Sequence, residues 1–322
     1  MLRTFFAAQD GTLESALSLG AIRSRLETKT GFAWVDLESP SAEEVQALGP
    51  AFGFHPLALE DCLIPQTSPK IEEYDDTIFL VSRAIIDVPE SIKIETATLF
   101  AFLTADCLVT VHSPPLKAVS ATDERIRRYV RLLGDGPDRV LHQLLDHVVD
   151  EYFPVLDELD EEADRVQDLI FTRGSAEALE RIFHAKQAVL ALRRAVGPQR
   201  EILLALASRR VPHVRAETQA YFRDIYDHAL RIVDTLEASR DELTTLLDAH
   251  LSQISNRLSQ VMKTLSVVAI LAMPLTIVTS FFGMNFEVMP LIHSAAGVWI
   301  ATGIMLGLVI VAIVYFRWKR WF

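Results

Sequence analysis

Two uncharged apolar stretches near the carboxyl end of the chain decide its architecture: LSVVAILAMPLTIVTSFF at residues 265–282 and AAGVWIATGIMLGLVIVAIVYF at residues 295–316. A helix needs about 17–25 apolar residues to cross a bilayer, and both stretches reach that length. Uncharged runs of this length are rare in soluble cores, where they would form buried helices. The sequence therefore predicts two transmembrane helices at this end of the chain.

The basic residues around these stretches predict their orientation. Arg257 and Lys263 precede the first stretch, three basic residues between 317 and 320 follow the second, and the loop at 283–294 contains neither Lys nor Arg. Basic flanks favour the cytoplasmic side of a membrane. We therefore expect both termini in the cytoplasm, the loop outside, and the lipid bilayer as a partner.

Charge and cysteine content narrow the class of protein. Of the 322 residues, 27 basic and 42 acidic ones precede position 263, which gives this body a charge of −15. We expect no nucleic-acid partner, because phosphate contacts need clustered Lys and Arg. Cys62 and Cys107 are too few for a disulfide framework and lack metal-type spacing, which indicates reduced cytosolic thiols.

Residues 1–135 show the alternation of strands and helices that is typical of an α/β domain. Short apolar runs predict strands at 32–37, 78–86 and 98–112. Ser41, with Glu44 three residues later, predicts a helix start with a capping box, and residues 56–62 predict a second helix. The sequence has no phosphate-binding loop, nucleophile elbow or two-histidine zinc motif, so we predict that the protein is not an enzyme.

Residues 136–262 are poor in glycine and predict a helical stalk before the membrane domain at 263–322. Apolar positions there recur about every 3.67 residues, the period of a nearly straight helix bundle. We predict one helix from about 212 to 282, roughly 100 Å long. Two further helices are predicted before it, at 138–172 and 175–210. His250 lies on the apolar stripe, where we expect a buried neutral histidine rather than a metal ligand.

The acidic residues between 150 and 168 leave two interpretations open. This segment carries nine acids and one base, Arg165. It forms either an ordinary solvated helix face or a surface that concentrates cations by long-range attraction. Its spacing is not that of a calcium-binding loop.

One stripe of the first membrane stretch carries small, polar and Met side chains. Its members recur with helical spacing and are Ser259, Met262, Ser266, Ala269, Met273, Thr276 and Ser280. Two helices cannot enclose a pore, so this stripe lines a pathway only if several subunits contribute it; the alternative is small-residue packing between membrane helices. Neither stretch contains an ionisable residue, which favours a passive pathway over a proton-driven pump.

A short motif, Gly283-Met284-Asn285, ends the first of the two terminal spans and is followed by Phe286-Glu287 and Met289-Pro290. With this motif in this position, the sequence resembles the CorA family of magnesium transporters. The similarity extends through the body in four segments: FGFHPLALEDC at 52–62, PKIEEYDD at 69–76, YFRDIYDH at 221–228 and DTLEASRD at 234–241. It therefore covers nearly the whole chain.

This resemblance implies a funnel-shaped homopentamer in a bacterial inner membrane, with the first span of each subunit lining one pore. It implies a selectivity filter at Gly283, Met284 and Asn285, where five neutral amide oxygens hydrogen-bond hydrated Mg²⁺ without stripping its water. Farther down the pore, Thr276 matches a polar ring. Met273, Leu265 and Met262 match hydrophobic constrictions.

The resemblance also implies that Mg²⁺ is both the transported ion and a regulator. In the family, cytosolic Mg²⁺ binds between neighbouring subunits through acidic residues, and Asp224 and Asp87 match these positions. Bound Mg²⁺ would bridge like-charged subunits and hold the pore shut.

Three departures from the family pattern bear on the pore. Leu291 stands where many members carry an acid, Ser259 where members often have Asn, and Phe282 where Tyr is common. The alternatives are a zinc transporter of the related ZntB group and, more remotely, a membrane-anchored scaffold or receptor. Met284 and Phe286-Glu287 favour magnesium, and Co²⁺ or Ni²⁺ passage is compatible with either transporter.

Overall fold

The computed structural model describes residues 1–8, 10, 12–64, 67–86, 94–128, 136–172, 176–208, 211–285, 291, 294 and 296–319. The chain divides into two compact units, Met1–Leu247 and Asp248–Phe322. The strands are β1 Leu2–Ala8, β2 Leu13–Ser15, β3 Gly31–Glu38, β4 Lys70–Tyr74, β5 Thr77–Ile85, β6 Thr96–Leu103 and β7 Cys107–His112. The helices are α1 Leu19–Glu27, α2 Ala42–Phe52, α3 Pro56–Asp61, α4 Lys117–Arg128, α5 Pro137–Asp150, α6 Phe153–Thr172, α7 Ala176–Ser208, α8 Ala216–Phe282 and α9 Gly297–Trp318.

The strands of the first unit form one sheet in the order β2-β1-β3-β7-β6-β5-β4. The β3–β7 pairing is parallel and the other pairings are antiparallel. Side chains on the two faces enter different apolar cores: Trp34 packs in the core that includes α5, whereas Ala33 and Val35 pack with α1, α2 and α3. A sheet buried on both faces needs nearly continuous apolar strands, as in the run Thr77–Ile85. The predicted α/β class is confirmed.

Local signals placed some boundaries correctly. Ser41 caps α2 by accepting a hydrogen bond from Glu44 N, and the Glu44 carboxylate accepts one from Ser41 N, so the predicted capping box is confirmed. The predicted strand at 98–112 is wrong as a single strand. Thr104 closes a turn through hydrogen bonds with Cys107, and this turn separates β6 from β7.

Two helix predictions also need correction. The segment 138–172 is not one helix: α5 ends at Asp150 and α6 begins at Phe153, because Pro154 lacks the N–H that a continuous helix would need. The start of α8 is residue 216 rather than 212. His213 adopts a left-handed φ of 63°, which interrupts a helix before that point. α8 then continues through Pro274 to Phe282.

A buried polar group lies between the central strands β3 and β7. The Asp36 carboxylate accepts a hydrogen bond from Thr110 Oγ1 at 2.6 Å and one from Arg3 Nη1 at 3.3 Å. His112 Nε2 lies 3.3 Å from Asp36 Oδ1, close enough for charge attraction, and both side chains are fully buried. Burial alone would lower the pKa of His112, but the neighbouring Asp36 carboxylate outweighs it, so this pKa is raised.

We expect this pair to make stability depend on pH. A pKa raised in the folded state means that the stabilisation is complete below the unfolded pKa, about 6.5, and disappears as pH rises through the folded pKa. The melting temperature of the purified protein will therefore fall as pH rises above about 6.5. The fall will be shallower in His112→Gln than in His184→Gln, whose histidine is exposed on α7. Parallel pH profiles for the two variants would refute the assignment.

Candidate functional site

The predicted pore-lining residues lie on one exposed face of α8 within the second unit. Met262, Leu265 and Met273 are 60%, 62% and 60% exposed. Ser259, Ala269, Thr276 and Ser280 are also exposed, and Ser266 is half-buried. The less exposed positions follow a different face, with Lys263, Val267, Leu271, Pro274 and Val278. The stripe is therefore not the face that α8 buries within its own chain.

Hydroxyl groups on this stripe donate to the helix backbone. Thr276 Oγ1 donates to the Met273 carbonyl at 2.9 Å, and Ser266 Oγ donates to the Met262 carbonyl at 2.8 Å. A hydroxyl has one proton and two lone pairs, so a hydroxyl that donates inward keeps its acceptor capacity for other partners. Thr276 and Ser266 can thus present oxygen acceptors to the water shell of a cation.

The Gly283-Met284-Asn285 segment follows the last turn of α8. Gly283 N donates to the Thr279 carbonyl at 2.9 Å, and a Cβ at position 283 would lie 3.0 Å from the same oxygen. A larger residue would have to move this carbonyl by a few tenths of an ångström, so glycine favours the close approach, and its φ is not left-handed. Asn285 and Met284 are exposed. Phe286 and Glu287, which the sequence analysis used to favour magnesium, lie outside the described residues.

The loop before α9 imposes a second steric requirement. Leu291 has a left-handed φ of 72°, which is strained for a branched side chain. A Cβ on Gly297 would overlap the Leu291 carbonyl oxygen. Glycine is therefore required at the first residue of α9.

Of the two predicted regulatory residues, the structure describes Asp224 but not Asp87. The Asp224 side chain is 72% exposed on α8, and Asp224 Oδ2 lies 4.0 Å from His228 Nε2. An exposed carboxylate of this kind remains available to a cation or to another subunit. The partner predicted for it falls outside the described part of the chain.

A group of metal-ligand side chains lies one helical turn away from Asp224. One ligand atom from each of Asp146, Asp150 and His228 comes within 4.8 Å of the others. His228 Nδ1 lies 3.7 Å from Asp150 Oδ1. Burial and the Asp150 charge raise the pKa of Asp146. Sequence reasoning missed this group because α5 and α8 are far apart along the chain.

Residues of α5 contact the beginning of α8 at several successive turns. The Asp138 carboxylate, 1% exposed, accepts hydrogen bonds from Arg215 N at 3.1 Å, Arg215 Nη2 at 2.7 Å and Thr218 Oγ1 at 2.6 Å. The Arg139 guanidinium lies 3.7 Å from the Tyr221 ring centroid. His142 packs edge-on against Tyr221, and burial and the Arg139 charge lower its pKa to about 4. The His142 ring is therefore neutral at pH 7.

The acidic segment at 150–168 is exposed along most of α6. Among the described acids of α6, only Glu162 is buried. It is 1% exposed and contacts Arg165 at 3.2 Å and Arg181 at 3.1 Å.

The predicted buried state of His250, on α8, is confirmed, since this residue is 2% exposed.

Fold and site together define a membrane protein that combines an α/β domain with two apolar helices. α8 and α9 are both long and apolar enough to cross a membrane. The sequence model of the CorA-like Mg²⁺ transporter protein family matches residues 29–320. The chain belongs to this family. The relatives it matches are transporters.

Individual relatives agree with the family match. The cobalt/magnesium transport protein CorA of Thermotoga maritima is 33% identical over 291 residues, which cover 89% of this chain and 83% of that protein. The complete structure of the CorA magnesium transporter from Methanocaldococcus jannaschii superposes with a TM-score of 0.87 at 23% identity, covering 100% of this chain and 99% of that one. The ZntB cytoplasmic domain from Vibrio parahaemolyticus shares the fold at a TM-score of 0.62 and 12% identity, covering 79% of this chain and 98% of that one.

Proposed function

We propose that the protein is a homopentameric Mg²⁺ channel in which α8 of each subunit lines a central pore. The observation that carries the proposal is the exposed stripe of α8, which leads from Ser259 to Ser280 and is followed by an exposed Asn285. The stripe supplies both hydroxyl oxygen acceptors and hydrophobic side chains. We retain the division into a cytosolic domain at 1–135, a stalk at 136–262 and a pore domain at 263–322.

The chemistry of Mg²⁺ favours a neutral filter. Mg²⁺ binds six oxygens in rigid octahedral geometry and loses its water reluctantly. A ring of Asn285 amide oxygens accepts hydrogen bonds from the water shell, whereas a ring of carboxylates would hold the ion too tightly to release it. Gly283 and Met284 complete this filter by bringing the backbone close to the end of α8.

The proposed pathway below the filter contains both polar and apolar rings. Thr276 forms a polar ring, and Met273, Leu265 and Met262 form constrictions that close the pore by dewetting. Ser259, Ser266, Ala269 and Ser280 have small side chains, which leave the remaining lining wider and mildly polar. Ser259 supplies a hydroxyl where family members often have Asn, so its inner ring is a weaker ligand.

Regulation is proposed to act through cytosolic Mg²⁺ bound by Asp224 and Asp87 of neighbouring subunits. Each body carries a charge of −15, so neighbouring bodies repel one another when Mg²⁺ is absent. Bound Mg²⁺ offsets that repulsion and favours the closed pore. Mg²⁺ thus limits its own entry.

The proposed site of action is the bacterial inner membrane, with both termini in the cytoplasm. A membrane potential of 100 mV is worth about 2.3 kcal/mol per elementary charge, and therefore about twice that for Mg²⁺. An inside-negative potential drives uptake without coupling to protons. The absence of ionisable residues within the two spans agrees with this passive pathway.

Ion flux into proteoliposomes tests the proposal. Vesicles that hold the purified protein will admit Mg²⁺, reported by an enclosed dye, and Mg²⁺ added on the cytosolic face will suppress the flux several-fold. Parallel vesicles with a Zn²⁺ dye test the zinc-transporter alternative. Zn²⁺ entry with little Mg²⁺ entry would favour that alternative, and no flux of either ion from an assembled protein would contradict both.

A further inference from the structure

We propose that the open edge of strand β4 and the neighbouring part of helix α7 form a docking groove for an extended segment of a partner protein. The segment alternates apolar and basic side chains and binds by adding one strand to the sheet. The motif PKIEEYDD at 69–76, which contains β4, has no role in the proposed pore or in its regulation. The proposal therefore concerns a part of the first unit that the proposed function leaves unused.

Strand β4 ends the sheet. The strand order finishes with β6-β5-β4, so among the described residues β4 pairs only with β5. In an antiparallel pair, successive residues alternate between bonding to the partner strand and pointing their N–H and C=O groups away from it. About every second residue of Lys70–Tyr74 therefore offers backbone groups at the open edge. Such an edge is a template for one more strand.

An apolar cleft of about 420 Å³ lies between the beginning of β4 and the second half of α7. Ile71 contributes to it from β4, and Ile202, Leu204 and Ala205 contribute from α7. Leu204 is 38% exposed, so the cleft keeps apolar surface in contact with solvent. Its volume is within the range of about 300–1,000 Å³ that is usual for binding pockets. An apolar side chain of an added strand can enter this cleft.

Negative charge predominates along the edge. Residues 70–76 carry four acids and one base, Lys70. Lys70 Nζ lies 2.7 Å from both Asp61 Oδ2 and Glu72 Oε2, so two carboxylates share one cation. The Glu201 side chain, 63% exposed and 2.9 Å from Arg200, adds a carboxylate on the α7 side of the cleft. This excess of acids attracts lysine or arginine side chains of a bound segment.

The two faces of β4 account for the alternation. Successive side chains of a strand point to opposite faces of the sheet. Ile71 packs on the face that α7 covers. Lys70 and Glu72 lie on the other face, where Asp61 of α3 contacts Lys70. An added strand would thus place every second side chain in the apolar cleft and the others beside carboxylates.

The same charges disfavour a second copy of this chain as the occupant. If two β4 strands paired antiparallel in full overlap, each Glu72 would lie opposite the Glu72 of the other copy. Like charges directly opposite one another destabilise a strand pair. A segment with basic side chains avoids this repulsion.

Fluorescence anisotropy of a labelled peptide tests the groove without measuring transport. The probe alternates lysine and valine, and its control contains the same residues as one block of lysines and one block of valines. We expect the full-length protein, in detergent at low salt, to bind the alternating peptide at least about tenfold more tightly than the block peptide. Added salt will weaken the binding, because it screens the attraction between exposed charges.

Two pairs of variants on α7 locate the binding. Leu204→Arg places a charge in the apolar cleft and will weaken binding of the alternating peptide at least about tenfold. Leu190→Arg changes a leucine that is 48% exposed on the same helix but outside the cleft, and it will leave binding unchanged. Glu201→Lys reverses a charge at the cleft and will weaken binding, whereas Glu180→Lys, at an exposed glutamate elsewhere on α7, will not.

Three outcomes would overturn the proposal. The first is equal affinity for the two peptides, or no binding of either. The second is equal affinity of Leu204→Arg and Leu190→Arg for the alternating peptide. The third is a change in assembly mass, measured by light scattering without peptide, in Leu204→Arg but not in Leu190→Arg, which would assign the groove to a second copy. None of these measurements involves ion flux, so failure here is distinct from failure of the proposed function.

Discussion

Replacing Asn285 with alanine will reduce Mg²⁺ entry into proteoliposomes at least about tenfold, which corresponds to about 1.4 kcal/mol at the barrier for entry. The exposed amide after α8 is the proposed acceptor for the water shell of the ion. In a pentamer the substitution removes five acceptors from one ring at once. The flux assay with an enclosed Mg²⁺ dye measures the effect directly.

A second variant at position 285 tests the effect of a negative charge in the filter. Asn285→Asp keeps the side-chain shape and oxygen but adds a negative charge per subunit. We expect it to raise the apparent affinity for Mg²⁺ while lowering the maximal rate, because a charged ring releases the ion slowly. Asn285→Ala lowers the rate without that gain in affinity.

The matched control for Asn285 is Gln187→Ala. Gln187 is an exposed amide on α7, in the first unit, and its loss will leave the flux unchanged. Assembly of each variant is checked by size-exclusion chromatography with light scattering. Native Mg²⁺ flux in an assembled Asn285→Ala protein would show that this residue is not the filter.

Replacing Asp138 with asparagine will destabilise the protein by about 3 kcal/mol, the lower end of the range for breaking a buried pair. The carboxylate is 1% exposed and accepts from Arg215 N, Arg215 Nη2 and Thr218 Oγ1. Arg215 is 46% exposed, so solvent weakens its share of the charge attraction. The backbone N–H and the Thr218 hydroxyl would lose a charged acceptor in a buried position.

Thermal unfolding of the full-length protein in detergent measures this effect. A loss of about 3 kcal/mol lowers the melting temperature by roughly 6–12 °C for a domain of this size. Asp157→Asn, which removes an exposed carboxylate from α6, is the control and will leave it within about 1 °C, since surface changes are small. Equal melting temperatures for the two variants would show that Asp138 is not a structural anchor.

The sequence predicted the elements whose pattern is local. The uncharged runs predicted the two apolar helices, and the Ser41 capping box predicted the start of α2. The prediction of a single strand at 98–112 was wrong because apolar residues continue on both sides of the Thr104 turn. No change in the apolar pattern marks that turn. The end of α5 at Asp150 depends on one residue, Pro154, inside an otherwise regular helical period.

The candidate sites also differ in whether a local sequence pattern predicts them. The proposed pore stripe follows from helical spacing, so the sequence alone was enough to predict Met262, Thr276 and its other members. α8 places them on one face, and their role in a pore stays a prediction. The group of Asp146, Asp150 and His228 depends on how α5 lies against α8, which no local pattern encodes. The motif YFRDIYDH at 221–228 predicted a role for Asp224. Its histidine, His228, was not singled out from sequence, because the carboxylates beside it lie on α5.

The contacts between α5 and the beginning of α8 have a consequence for measuring motion in this protein. Asp138, His142 and Asp150 each meet α8 at a different turn, so the two helices cannot slip past one another by a turn without breaking several contacts together. Over these turns they therefore form a rigid pair with a fixed register. Distance labels placed on α5 and on α8 between residues 216 and 228 will report no change. An informative label pair has one member on this pair and the other elsewhere in the protein.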